Sequence, residues 1–218
     1  MIDIFILKLA DPESWFFAMS WILIVIISIV IHELAHGWMA IRLGDNTPNR
    51  LGRMTGNPLV HMGGMSLVVL ALFGIAWGQM PIDPTRLRGR YAEAKVAFAG
   101  PASNILLALV ALIALGLLMR YDADPTEQWQ KNLYEFLFLA GSANMILTVF
   151  NLVPIPPLDG SHILANFHRG YANLISDPSK QGLFMLGFFA MFIFFGEMWD
   201  HAYRIAAIVS AFVATVGG

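Results

Sequence analysis

Residues 15–43 read WFFAMSWILIVIISIVIHELAHGWMAIRL. From Trp15 to Ile31 no residue is charged, and the run continues as a predicted helix to about Leu43, where Gly44-Asp45-Asn46 stops it. A helix that is apolar all round is buried or spans a membrane. From Trp15 to His32 is about 25 Å at 1.5 Å per residue, against a hydrocarbon core of roughly 30 Å. His32, Glu33 and His36 therefore lie deep in the span, near its far face. One ionisable residue in mid-span costs roughly 2.5–3.5 kcal/mol on insertion scales. Three within five positions call for partners.

The spacing suggests what the partners are. His32 and His36 are four apart, so a helix stacks them on one face, where both imidazoles reach one tetrahedral zinc ion. Glu33, beside the first of them, is placed to act as general base. The plainer alternative is a polar cluster at the helix end, solvated by headgroup water. Catalytic zinc needs a third protein ligand. Asp159, in "NLVPIPPLDGSHIL", is the leading candidate, with His162 and Glu93 as rivals. Asp159 also suits a cap on a helix starting at Ser161.

The rest of the chain agrees with a membrane protein. Of 218 residues, 57% are hydrophobic and 13% charged, where soluble domains average about 25% charged. Further apolar spans are predicted at 96–119 and 133–153, the latter ended by Pro154, Pro156 and Pro157. A last apolar region, 183–216, is interrupted by Glu197, Asp200, His201 and Arg204; it reads as two short spans or one bent helix. Residues 66–77 are too few to cross alone. The expected architecture is an all-α polytopic membrane protein, a single domain over 1–218, with about four to six transmembrane helices. The Gly-, Pro- and Asn-rich stretches 44–64 and 78–90 predict a small β or re-entrant element between the first and second clear spans.

Charge sets the topology. Arg42, Arg50, Arg53, Arg86, Arg88, Arg90 and Lys95 lie between the first two clear spans. The positive-inside rule then turns the end of the first helix toward the cytoplasm. Asp159 falls on that same side. No basic n-region and cleavage site precede Trp15, so the first span is expected to be retained. With no cysteine, thiolate ligands and disulfides are excluded. No basic patch points to nucleic acid.

"HELAH" in a membrane helix, "GPASN" in the next span and "NLVPIPPLDG" after the third together resemble the site-2 protease family of intramembrane zinc metalloproteases, over roughly residues 20–165. The resemblance implies one Zn2+ per chain held by His32, His36 and Asp159, with Glu33 activating water and Asn151 stabilising the oxyanion. Gly100, Pro101 and Asn104 match the family's G-P-x-x-N motif in a supporting role. It implies a compact member without a PDZ domain, multi-pass in a prokaryotic plasma membrane. The active site would face the cytoplasm, and the substrates would be single-pass or short transmembrane proteins in the lipid bilayer. A homo-oligomer is compatible with this. The sequence departs from the pattern at "NPLVHMGGMS", where Gly63 and Gly64 replace Asp-Pro, although His61 is kept as a further supporting candidate. It departs again at "GQMPIDP". The alternative function is a membrane metal or ion transporter using the same His/Asp cluster.

Overall fold

The computed structural model describes residues 5–216 apart from 10, 13, 123, 192 and 194. Helix α1 (Trp15–Arg42) ends where the sequence predicts, and Gly44 leaves it with φ of +103°, a conformation glycine adopts without strain. Two short helices follow, α2 (Thr47–Arg50) and α3 (Pro58–Phe73). Next come α4 (Ala92–Tyr121) and α5 (Gln128–Leu152), then α6 (Asp159–Phe167) and α7 (Arg169–Ser176). The chain closes with α8 (Gln181–Met191) and α9 (Phe195–Thr215). Helix α5 starts earlier than its apolar run because Glu127 and Gln130 form a reciprocal capping box around a polar first turn.

Among the described residues, α1, α4 and α5 are long and apolar enough to cross a membrane. A fourth span is available only if α8 and α9, bent by 53°, count as one. The expected four to six spans are therefore not confirmed: three are clear, a fourth depends on the bent pair, and α3, whose 16 residues cover about 24 Å, adds none.

The β element is not found: no described residue is in a strand. Asn57 accepts the Leu59 N–H at 3.0 Å and Pro58 occupies the first turn, which together start a helix where a strand was expected. Gly63 (φ +69°, ψ 168°) breaks that helix without ending it. After Gly74 the chain runs without regular structure from 75 to 83 beside α1 and α3. It is held there singly. Ser66 Oγ bridges the N–H and C=O of Trp77, and the Gln79 N–H donates to the His61 carbonyl.

Helix α4 is the hub, packed on α1, α5, α6 and α9. Small residues allow this. Gly141 of α5 lies against the Leu112 side chain, and a β-carbon at Gly116 would come within 2.6 Å of the Ser210 carbonyl of α9. Large apolar side chains point outward instead: Leu23 and Ile27 on α1, Leu106, Val110 and Ile113 on α4, and Val149 on α5 are all exposed. Polar ones point in, including Ser28, Asn104, Ser142 and Asn144. That inversion suits a lipid surround.

Asp45 anchors the end of the 75–83 run. Fully buried, it accepts from the Thr47 N–H (2.9 Å) and hydroxyl (2.5 Å) and, through its other oxygen, from the Asp83 N–H (2.8 Å). Burial alone would raise its pKa; these hydrogen bonds outweigh it and hold the carboxyl below the usual range. A folded pKa below the unfolded one means the stabilisation is complete above about pH 4 and lost as pH falls through the folded value. Asp45→Asn keeps the shape but turns an amide toward the Asp83 N–H. We expect faster hydrogen exchange at the Asp83 amide, equivalent to about 1–3 kcal/mol for an unsatisfied buried donor, and loss of the acid-dependent loosening seen in wild type.

Candidate metal centre

His32 and His36 sit one turn apart on α1, both buried, with their Nε2 atoms 2.9 Å apart. Asp159, the first residue of α6, faces them. Its Oδ2 lies 3.1 Å from His32 Nε2 and its Oδ1 3.4 Å from His36 Nε2. Among the described residues these three alone form a cluster able to hold a metal ion. Asp159 makes no capping bond, so the cap reading of this residue is set aside. His162, Glu93 and Glu197 are exposed and outside the cluster.

The turn that delivers Asp159 is tightly built. After α5 ends, the Ile155 N–H bonds the Val153 carbonyl at 2.8 Å and the Leu158 N–H bonds the Ile155 carbonyl at 2.9 Å. Gly160 then lies directly on the last carbonyls of α5. A β-carbon there would collide with the Leu152 carbonyl and come within 2.6 Å of the Val153 oxygen, both backbone atoms with nowhere to go. The "DG" of the motif thus pairs a candidate ligand with the contact that places it.

The protons in the cluster are accounted for by the outer nitrogens. His36 Nδ1 lies 2.7 Å from the Val96 carbonyl, which only accepts, so Nδ1 carries the proton and Nε2 a lone pair. His32 Nδ1 lies 2.6 Å from Asn104 Oδ1, which places its proton outward too. Two bare Nε2 atoms and a carboxylate then face one another, and buried Asp159 Oδ2 has no hydrogen-bond donor. Three electron-pair donors at this separation repel unless a cation lies between them. Two imidazoles and a carboxylate, each imidazole oriented by a hydrogen bond behind it, is a donor set that fits zinc.

Space for the imidazoles comes from α4. Gly100 lies against the ligand atoms themselves: a β-carbon there would collide with His36 Nε2 and stand 2.5 Å from His32 Nε2. Next to it, Pro101 is fully buried inside α4 and leaves the helix one hydrogen bond short. Thr148 Oγ of α5 lies 3.5 Å from the Pro101 carbonyl.

Glu33 is buried on the same helix. The 75–83 run passes directly against it, since a β-carbon at Gly78 would lie 2.5 Å from Glu33 Oε1. Met54 and Met80 lie over Gly37, one turn on. His61 is buried outside the ligand cluster, with Nε2 2.7 Å from the Thr55 carbonyl and Nδ1 without a partner. Asn151, on the last turn of α5, donates one amide hydrogen to the Leu147 carbonyl at 3.0 Å. Sequence reading missed Asn144. This buried residue accepts from the Asn104 amide at 2.9 Å, and nothing in its local sequence marks it.

Comparison with known proteins gives a consistent picture. Residues 116–195 match the profile described as Peptidase family M50, which takes in Asn151 and Asp159 but not the histidine pair. Over 146 residues the chain is 34% identical to "Putative zinc metalloprotease YwhC" of Bacillus subtilis, covering 66% of each chain. Over 170 residues it is 31% identical to "Putative zinc metalloprotease Rip2" of Mycolicibacterium smegmatis, covering 74% of this chain and 62% of that one. "Zinc metalloprotease MJ0392" of Methanocaldococcus jannaschii is 26% identical over 152 residues, 35% of its length. The chain thus spans just under two thirds, or less, of the length of these relatives. No solved structure matches it.

The close approach at residue 100 makes a sharp prediction. Gly100→Ala should reduce zinc affinity by about tenfold or more, the scale seen when the surroundings of metal ligands are disturbed, with helix content unchanged. Metal analysis of purified protein dialysed against graded zinc, with circular dichroism alongside, checks it.

Proposed function

The chain belongs to peptidase family M50, and on that premise we propose that it is a zinc-dependent endopeptidase that cuts transmembrane proteins within the bilayer. The observation that carries this is the meeting of His32 and His36 with Asp159, 123 positions after His36, beside a buried glutamate. No observation favours an ion carrier.

Zinc held by His32, His36 and Asp159 would act as a Lewis acid on the scissile carbonyl and on a water molecule. Glu33, one residue from the first ligand, takes the proton that the attacking water gives up and returns it to the leaving nitrogen. Asn151 keeps a second amide hydrogen beyond the one given to Leu147, and we assign it to the developing oxyanion.

The substrate must be unwound, because helical peptide bonds are shielded and internally bonded. We assign the 75–83 run as the docking edge. Trp77 and Gln79 turn their backbone groups inward, to Ser66 and to His61. In an extended chain Gly78 and Met80 alternate to the opposite edge, where a peptide would add as a strand. Gly78 also lies against Glu33, which sets this stretch of the run beside the base. This is the form in which the re-entrant element of the sequence reading is retained. The arginines at 42, 50, 53, 86, 88 and 90 support a cytoplasm-facing site in a multi-pass protein.

Glu33→Gln tests the chemistry. The variant should bind zinc as wild type does and lose about 10²–10⁴-fold in cleavage of a reconstituted single-pass substrate, the range for removing a general base. Wild-type turnover by this variant in proteoliposomes would refute the assignment.

A further inference from the structure

A side-chain amide has two faces, a carbonyl that accepts and an NH2 that donates. Asn104 serves His32 only if it presents the carbonyl. If it turned over, its NH2 would face Nδ1, the imidazole proton would move to Nε2, and the metal face of His32 would carry a hydrogen. Something must hold Asn104 the right way round, and the structure shows what does. Asn144 on α5 turns its own NH2 to the Ala140 carbonyl at 2.9 Å. A backbone carbonyl only accepts, so Asn144 has no choice of orientation there. Its Oδ1 is then left to face Asn104, and it takes the Asn104 NH2 at 2.9 Å. That commits Asn104 Oδ1 to His32 Nδ1, 2.6 Å away. Asn104 is 1% exposed and Asn144 3%, so water is not on hand to repair a wrong orientation.

We propose that Asn144 is a positioning residue for the metal centre: it fixes the orientation of Asn104 and, through it, the tautomer in which His32 offers an electron pair at Nε2. The relay crosses three helices, from an α5 backbone carbonyl through α4 to α1. It rests on the reading of His32 as a metal ligand. His36 needs no such device, because Val96 supplies a backbone carbonyl directly.

The test separates orientation from packing. Zinc-free protein with 15N-labelled histidine, in mildly alkaline buffer, reports the His32 tautomer by the 15N shifts of its ring; the signals are assigned by their loss in His32→Ala. Wild type should show the Nδ1–H form. Asn144→Leu, similar in size but unable to bond, should shift His32 toward the Nε2–H form and weaken zinc binding by about 10–100-fold. Adding Asn104→Asp to Asn144→Leu should restore the Nδ1–H form and recover most of the affinity, because a carboxylate has no donor face to present. Asn144→Asp, which in its protonated form donates to the Ala140 carbonyl and still accepts from Asn104, should retain the wild-type tautomer. An unchanged tautomer in Asn144→Leu, a changed one in Asn144→Asp, or no recovery in the double variant overturns the proposal. Wild-type protein that shows the Nδ1–H form but takes up no zinc would instead refute the metal reading.

Discussion

Everything in this molecule is arranged around three electron-pair donors held face to face where water is scarce. Two imidazole nitrogens at 2.9 Å and a carboxylate at 3.1 and 3.4 Å repel one another when both Nε2 atoms are bare. Outside a membrane, solvent would relieve such an arrangement. In an apolar bundle a bound metal ion would supply that relief, and the fold holds the donors in place for it. Their outer nitrogens are tied to Val96 and Asn104, so neither ring is free to turn its proton inward. On the proposed function, the cost of burying these polar groups would be turned into metal affinity.

The second requirement is closeness, and it explains where the small residues lie. Gly100 gives the imidazoles room, Gly160 lets the proline-rich turn fold back on α5, and Gly78 brings the 75–83 run against Glu33. In each case the atom that a β-carbon would strike belongs to the site or to the backbone that builds it. None of the three has a positive φ, so what they supply is closeness of contact, not backbone freedom. A methyl group at Gly100 or Gly78 would meet side chains of the site, whereas one at Gly160 would meet the backbone that builds the turn.

Much of this was legible in the chain. The His32–His36 spacing is local, and helical geometry converts it directly into a shared face. The three long spans announce themselves by length and lack of charge. Asp159 is different: 123 positions separate it from His36, and residue-level reasoning left it level with a helix cap until the whole motif was weighed. Asn144 left no local trace, because a single asparagine in an apolar helix looks the same whether it bonds its own backbone or a neighbour. The strand expected in 44–90 was misjudged for a readable reason. Glycine and proline read as breakers, while Asn57-Pro58 is also a sound start for a helix, and an apolar run follows it.

The same geometry meets two demands that usually conflict. Hydrolysis requires water, and the scissile bond of a membrane helix is hidden from it. About 17 residues of apolar helix precede His32, enough to set the metal ligands near one face of the bilayer rather than at its centre. At that depth water would reach the site without crossing the bilayer, and the 75–83 run passes Glu33 at the same level. On the proposed function, a transmembrane segment leaving its helix there would exchange its internal hydrogen bonds for bonds to that run, which has no regular structure of its own. The energetic problem of unwinding and the chemical problem of hydration are then met within one turn of α1. On that proposal binding precedes cleavage, because only a substrate laid along the 75–83 run brings a peptide bond to Glu33.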